Sequence, residues 1–331
     1  MSDTYRAAAP VRLDFAGGWT DVPPFSTREG GLVVSAAIGL YAHAEVRLGG
    51  TGLRLVAEDL DATLDVSDQA ALVANGPLAL LQAGLRILPV GPCSLTTRSD
   101  APPGSGLGSS GALDVAIVAA LSAARGDARE LNDIAELACR LERIEATIPG
   151  GRQDQFTAAF GGVLRMKFRD PETVVEPLLL DPALLAELER RILLIYTGAS
   201  RFSGATIGRV MSAYERGDAH VTRSLHDLRE VAERMVEALR AGDLARIGEL
   251  LDRNWRHQQQ LDAGMCTPLM DRLGRGLREA GALGGKAAGS GAGGCMFFLG
   301  PDDPGPAIEA ARELGGVILP VRWAPAGVQP C

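Results

Sequence analysis

The sequence predicts an α+β protein of two lobes. Three observations predict it. Strand-like runs gather between residues 11 and 98 and again beyond residue 284, with most of the helical periodicity between them. Two glycine-rich loops, at 104–111 and 284–294, each adjoin a strand-like run, one in each lobe. The stretch from Pro171 to Asp181 breaks the pattern and marks the transition, so the expected domains are 1–180 and 181–331.

The elements follow in order. Residues 11–16 and 32–48 read as strands, and Ala42 to Leu48 alternates apolar and polar as a half-buried strand does. Short strands are expected at 54–57 and 64–66, a helix at 77–88, and a strand at 93–98. The run 112–124 is apolar nearly all round, which predicts a buried helix. A second helix, 132–146, carries Ile134, Leu137, Ala138, Leu141 and Ile144 on one face and stops at Pro149-Gly150-Gly151. A strand follows at 163–168. The second lobe opens with a buried strand at 192–197 and continues with helices near 204–216, 221–240, 243–260 and 268–281. Strands at 285–288, 295–299 and 317–319, with a helix at 305–314, close the chain.

Bulk properties narrow the function. A net charge of −8 without a basic tract argues against a nucleic-acid partner. No apolar stretch approaches the roughly 20 residues that span a bilayer, and the first residues lack a signal-peptide core. Five cysteines without C-x-x-C spacing read as free thiols. A cytoplasmic protein acting on a small molecule is expected, and no sequence feature specifies an oligomeric state.

Four segments carry chemistry. In Pro103-Gly104-Ser105-Gly106-Leu107-Gly108-Ser109-Ser110-Gly111 the glycines let backbone N–H groups turn inward at the start of a helix, a cradle for phosphate. Ser109 and Ser110 add hydroxyls for phosphate oxygens or Mg²⁺. The loop formally matches the dinucleotide fingerprint, but a helix rather than a second strand follows it, and no Lys-Ser/Thr completes a Walker loop. The segment Ala9 to Asp21 ends a strand in a Gly-Gly turn and offers Arg12 as a cation and Asp21 as a hydroxyl acceptor. Glu142 to Gln155 supplies two separated carboxylates, one able to hold Mg²⁺ and one to take a proton. Gly284 to Gly294 has six glycines in eleven positions, which suggests close backbone approach.

Together these segments resemble the GHMP kinases. Ala-Pro-x-Arg with Gly-Gly-x-Thr-Asp, then Pro-x-Gly-x-Gly-Leu-Gly-Ser-Ser-Gly, then Gly-Lys-x-x-Gly-x-Gly-x-Gly-Gly occur in family order over nearly the whole chain. Ile148-Pro-Gly-Gly-Arg-Gln-Asp-Gln-Phe156 looks most like the D-glycero-D-manno-heptose 7-phosphate kinases, which with the related fucokinases phosphorylate an anomeric hydroxyl. The resemblance implies an N-terminal lobe of ribosomal-protein-S5 type, a ferredoxin-like C-terminal lobe, and ATP with Mg²⁺ as cofactors. It implies that Gly104, Ser105, Gly106, Leu107, Gly108, Ser109 and Ser110 cradle ATP. Ser110 and Glu142 would hold the metal, with Glu145 a rival because a 3.6-residue wheel brings it nearer the apolar face. Asp154 would be the base and Arg12 the cation beside the reacting hydroxyl. Gly18, Trp19, Thr20, Asp21, Arg152, Gln153, Arg201, Gly289 and Gly291 would meet a sugar phosphate. Two departures stand out: related sequences carry glycine at Trp19 and often lysine at Arg152. The alternatives are a GHMP kinase for a fucose-like sugar or an isoprenoid alcohol, and a non-catalytic nucleotide-binding sugar sensor.

Overall fold

The computed structural model describes residues 4–198 and 203–330. Along the chain the first lobe comprises β1 (Thr4–Ala16), α1 (Phe25–Glu29), β2 (Gly31–Leu48), β3 (Leu53–Ala57), β4 (Ala62–Val66), α2 (Ala79–Ile87), β5 (Cys93–Ser99), α3 (Ser109–Arg125), α4 (Leu131–Arg140), α5 (Gln153–Phe160), β6 (Val163–Arg169) and β7 (Glu172–Pro177). There follow α6 (Pro182–Arg191), β8 (Ile192–Tyr196), α7 (Ser203–Glu215), α8 (Ala219–Ala241), α9 (Leu244–Gln259), α10 (Pro268–Glu279), β9 (Gly284–Ala287), β10 (Cys295–Leu299), α11 (Gly305–Glu313), β11 (Val317–Leu319) and β12 (Gln329–Pro330).

The long strand β2 organises the first sheet. Its first half pairs with β6, its second half with β5, and β1 runs antiparallel along both. The sheet order is β12-β1-β2-β5-β3-β4, with β6 and β7 branching from β2. Residues 31–38 of β2 are buried without alternation, because α3 packs on β1 and β2 and α8 packs on them too. Beyond Ala42 burial alternates, as the sequence predicts. The second sheet is antiparallel in the order β11-β8-β10-β9, with α7–α10 between β8 and β9 and α11 before β11. That is the 4-1-3-2 order of a ferredoxin-like lobe. Phe15 at the end of β1 meets Phe297 of β10, ring centres 5.5 Å apart, so the apolar core runs from one sheet into the other. The tail returns to the first sheet, where Trp323 bridges to Ile38 and β12 pairs with β1.

Several elements differ from the sequence reading. The expected transition at 171–181 holds β7, and α6 follows it. Helix α1 appears as a single short turn system after Pro24. The expected helix 132–146 is α4 ending at Arg140, followed by one π-helical turn over Leu141–Glu145. Helix α5 is not expected from the sequence, since nothing local announces its start. No helix among the described residues is long and apolar enough to cross a membrane.

Candidate active site

Arg12 is the hub of the cleft. It lies on β1 with only 4% of its surface exposed. Its Nε donates to Asp154 Oδ1 at 2.8 Å, and its Nη1 donates to the carbonyls of Gly106 at 2.7 Å and Ala288 at 2.9 Å. One guanidinium thus ties together the helix carrying the candidate base, the first glycine loop and the third-motif loop. A planar fork with five donors suits this better than a lysine would. Asp154 sits in the first turn of α5 and keeps 26% of its side chain exposed.

The first glycine loop leads directly into the N-terminus of α3, whose unpaired N–H groups attract anions. Ser110 is exposed and Gly106 and Ser109 are half-buried. Leu107 is buried and acts through its backbone, its carbonyl accepting from Arg12 N at 2.9 Å. A Cβ on Gly111 would come within 2.5 Å of Asp154 Cβ, so the absent side chain lets α3 and α5 touch. The third-motif loop packs on the first: a Cβ on Gly289 would lie 2.3 Å from Gly106 O, and Cys295 N donates to Ser105 O at 2.6 Å.

Glu142 faces this cleft, buried, with Oε2 accepting from Gln155 Nε2 at 2.6 Å and Ser110 beside it. Burial first, then the nearby Asp154 carboxylate, pushes its pKa up to about 7, against the hydrogen bonds from Ser110 and Gln155. Glu142 continues the buried face that Ala135, Ala138 and Cys139 make on α4, and the π turn carries Ile144 and Glu145 out of the phase that a regular wheel assumes. Glu145 instead points to Arg140 at 3.3 Å and Arg86 at 3.8 Å. Among the described residues no three acidic, His or Cys groups come together as a metal cage. A hydroxyl and one carboxylate are the hard-oxygen donors that fit Mg²⁺ when phosphate oxygens and water complete its shell.

Several residues expected at the sugar make contacts within the fold. Asp21 is buried, and its Oδ2 accepts from the backbone N–H of Arg152 at 2.8 Å and Gln153 at 3.0 Å. It caps α5 from 131 positions away, and burial raises its pKa to about 6. Thr20 is fully buried, its hydroxyl donating to Gly17 O at 2.7 Å and accepting from Leu32 N at 3.0 Å. Arg152 likewise makes contacts inside the lobe. It points into the lobe, pairs with Glu136 and with Asp170 at 2.8 Å, and stacks 5.5 Å from the Phe156 ring centre. Those partners neutralise it, so it offers no free cation to an acceptor phosphate. Gly289 and Gly291 likewise allow packing, against Gly106 and Met265 respectively. Arg201 lies outside the described residues. Gln153 approaches the Gly-Gly turn, where a Cβ on Gly18 would lie 3.1 Å from its Nε2. Trp19 is buried at φ 81°, a left-handed conformation that costs a bulky residue energy, and its Nε1 has no partner.

The sequence reading also missed residues. Lys286, fully buried, donates to Asp14 Oδ2 at 2.8 Å and to Asp14 O at 2.6 Å, a charged staple from β9 to β1. Its place inside the third glycine motif was the available signal. Asp114, on α3 one turn beyond Ser110, is fully buried, and burial together with the Glu142 carboxylate raises its pKa well above the usual carboxylate range. Asn254 and Gln258 on α9 reach Gly17 and Gly289. A polar pair four apart on an amphipathic helix gave no sign of this.

Comparison with known proteins agrees with this geometry. The GHMP kinase N-terminal domain model matches residues 70–162 and the GHMP kinase C-terminal model matches residues 235–317. The chain is 30% identical to a D-glycero-alpha-D-manno-heptose 7-phosphate kinase of Campylobacter jejuni, over 98% of each. It is 29% identical to a bifunctional fucokinase/GDP-fucose pyrophosphorylase of Arabidopsis thaliana, over 92% of this chain and 30% of that one. A crystal structure of a D-glycero-D-manno-heptose 1-phosphate kinase from Bacteroides thetaiotaomicron superposes with a TM-score of 0.78 at 26% identity, covering 99% of this chain and 98% of that one. Kinases of this family take their phosphate from ATP. With the two family domains, the motif order and the fold in agreement, the chain belongs to the GHMP kinases.

Proposed function

We propose that this GHMP kinase transfers the γ-phosphate of ATP to the anomeric hydroxyl of D-glycero-D-manno-heptose 7-phosphate or a close analogue. That it is a kinase with an alcohol acceptor, and a sugar kinase of its family, rests on its relatives. The observation that carries the mechanism is the Arg12–Asp154 contact wedged between the two glycine loops. In this reading residues 104–110 and the start of α3 hold the ATP phosphates. Ser110 and Glu142 would hold Mg²⁺, which supplies charge neutralisation at those phosphates. Asp154 takes the hydroxyl proton through the oxygen not bonded to Arg12. Arg12 fixes that carboxylate and places positive charge beside the transferring group. The lobes 1–180 and 181–331 close the cleft between them.

The identity with the Campylobacter enzyme favours the heptose acceptor, while Arg152 no longer supports recognition of its phosphate. A fucose-like acceptor is therefore the second reading. ADP release with ATP, Mg²⁺ and a panel of heptose 7-phosphate, heptose, fucose and mevalonate decides. Preference for heptose 7-phosphate supports the first reading, preference for an unphosphorylated sugar the second, and mevalonate turnover refutes both.

A further inference from the structure

Two buried side-chain amides border the Gly17–Gly18 turn and a third lies one helical turn away, each with one end occupied and the other free. Asn254 Oδ1 accepts from Gly17 N at 3.0 Å, which fixes the orientation of the amide and leaves Nδ2 without a partner. Gln258 Nε2 donates to Gly289 O at 2.7 Å and leaves Oε1 without a partner. Gln153 turns its Nε2 toward Asp21 Oδ1 at 3.5 Å and leaves Oε1 without a partner. Asn254 and Gln258 are each 1% exposed and Gln153 is 8% exposed. Neighbouring contacts draw them together. A Cβ on Gly18 would come within 3.1 Å of Gln153 Nε2, and Gly289, which Gln258 holds, rests on Gly106, whose carbonyl accepts from Arg12. Asn254 and Gln258 stand one turn apart on α9 and so share a face. Buried polar groups are rarely left unpaired without a reason.

We propose that Asn254 and Gln258, with Gln153, form the subsite that binds the hydroxyl groups of the acceptor. The inference rests on the kinase reading above and adds Asn254 and Gln258, with the ligand chemistry they select, to the Gln153 already expected at the sugar. The free ends are one NH₂ donor and two carbonyl acceptors. Two carbonyl oxygens need hydrogens from the ligand. A carboxylate or phosphate has none to give and would face both oxygens with like charge. A sugar hydroxyl both donates and accepts, so a neutral polyol satisfies all three amides. The subsite therefore selects the hydroxylated face of a sugar and leaves any charged end of the acceptor to other residues.

The test is a cycle between side chain and substrate. Asn254→Asp keeps an acceptor for Gly17 N–H and replaces the free NH₂ donor by a carboxyl oxygen, so the free donor is exchanged for an acceptor at a buried position. Gln258→Met conserves volume and removes the free carbonyl together with the Nε2 bond to Gly289 O, so it carries the same cycle, read on the deoxygenated acceptors, should Asn254→Asp fail to fold. Heptose 7-phosphate and its singly deoxygenated analogues serve as acceptors, with ATP KM and circular dichroism as controls. We expect each variant to raise the acceptor KM roughly tenfold, as an unpaired buried group does, with ATP KM moving less than about twofold. For the wild type, removing one hydroxyl costs a similar factor, and in the matching variant that same removal costs less than about twofold. A variant whose loss is equal across all the deoxy analogues, or whose ATP KM rises as much as its acceptor KM, overturns the inference while sugar turnover by the wild type leaves the kinase reading standing. Wild-type turnover of mevalonate in place of sugars overturns both.

Discussion

Replacing Asp154 by Asn tests the proposed chemistry most directly. The geometry favours a folded variant: Asn can still offer its carbonyl to Arg12 Nε, the contact that Asp154 Oδ1 makes at 2.8 Å. The amide is nearly isosteric, and the tight approach of Gly108 and Gly111 to this side chain is unchanged. What disappears is the second carboxylate oxygen as proton acceptor, together with a negative charge beside the buried Arg12 guanidinium. Loss of the charge component of that contact costs about 1.5 kcal/mol of stability, the lower end for hydrogen bonds to charged groups. Loss of general-base action costs at least ~100-fold in kcat, or about 2.7 kcal/mol of barrier. The anomeric hydroxyl is more acidic than an ordinary alcohol, which keeps the expectation near that lower bound. Steady-state ADP release at saturating ATP and acceptor gives kcat, displacement of a fluorescent ADP analogue gives nucleotide affinity, and thermal denaturation gives the stability cost. The reasoning predicts low kcat, unchanged nucleotide affinity and a modest fall in Tm. A folded Asp154→Asn variant with kcat within about fivefold of wild type would refute the assignment of Asp154 as base.

Other perturbations separate the remaining roles. Glu142→Gln should raise the Mg²⁺ concentration needed for half-maximal activity with little change in acceptor KM, whereas Glu145→Gln should be mild; the reverse pattern would reassign the metal. Because burial raises the Glu142 pKa to about 7, Mg²⁺ must displace a proton below that pH, so the wild-type Mg²⁺ requirement should climb as pH falls from about 7 toward about 5.5, and Glu142→Gln should flatten the curve. The raised Asp21 pKa works on stability. Between about pH 4 and 6 the unfolded chain ionises this carboxyl while the folded chain keeps its proton, so Asp21 makes the fold lose stability with rising pH across that window, and Asp21→Asn should remove this slope from a series of thermal melts. Arg152→Met should cost about 2 kcal/mol of stability, since it breaks an interior pairing whose acidic partners still reach water, and should weaken phosphorylated and unphosphorylated acceptors equally. Selective loss of the phosphorylated acceptor would return Arg152 to the cleft. Gly289→Ala should depress ATP binding and stability together, because its methyl would meet Gly106 O at 2.3 Å and force the two glycine loops apart, as measured by nucleotide titration.

The fold class, the family and those parts of the site that are local in the chain were legible before folding. A glycine loop between a strand and a helix is written in consecutive residues, as are the alternation of β2 beyond Ala42 and the long apolar run of α3. What a linear reading could not carry were the contacts whose two halves lie far apart. The N-terminus of α5 has no local cap because Asp21 supplies it, so Gln153 to Phe160 reads as loop until the chain folds. The phase of Glu142 against Glu145 depends on a π turn that no 3.6-residue wheel anticipates. Arg12 and Arg152 look alike as isolated arginines, yet folding turns one into the cleft among carbonyls and one carboxylate, and the other into an interior pairing with Glu136 and Asp170. A side chain's chemistry is fixed by its type, but its job is fixed by which partners remove it from water, and those partners are chosen only when distant segments pack together.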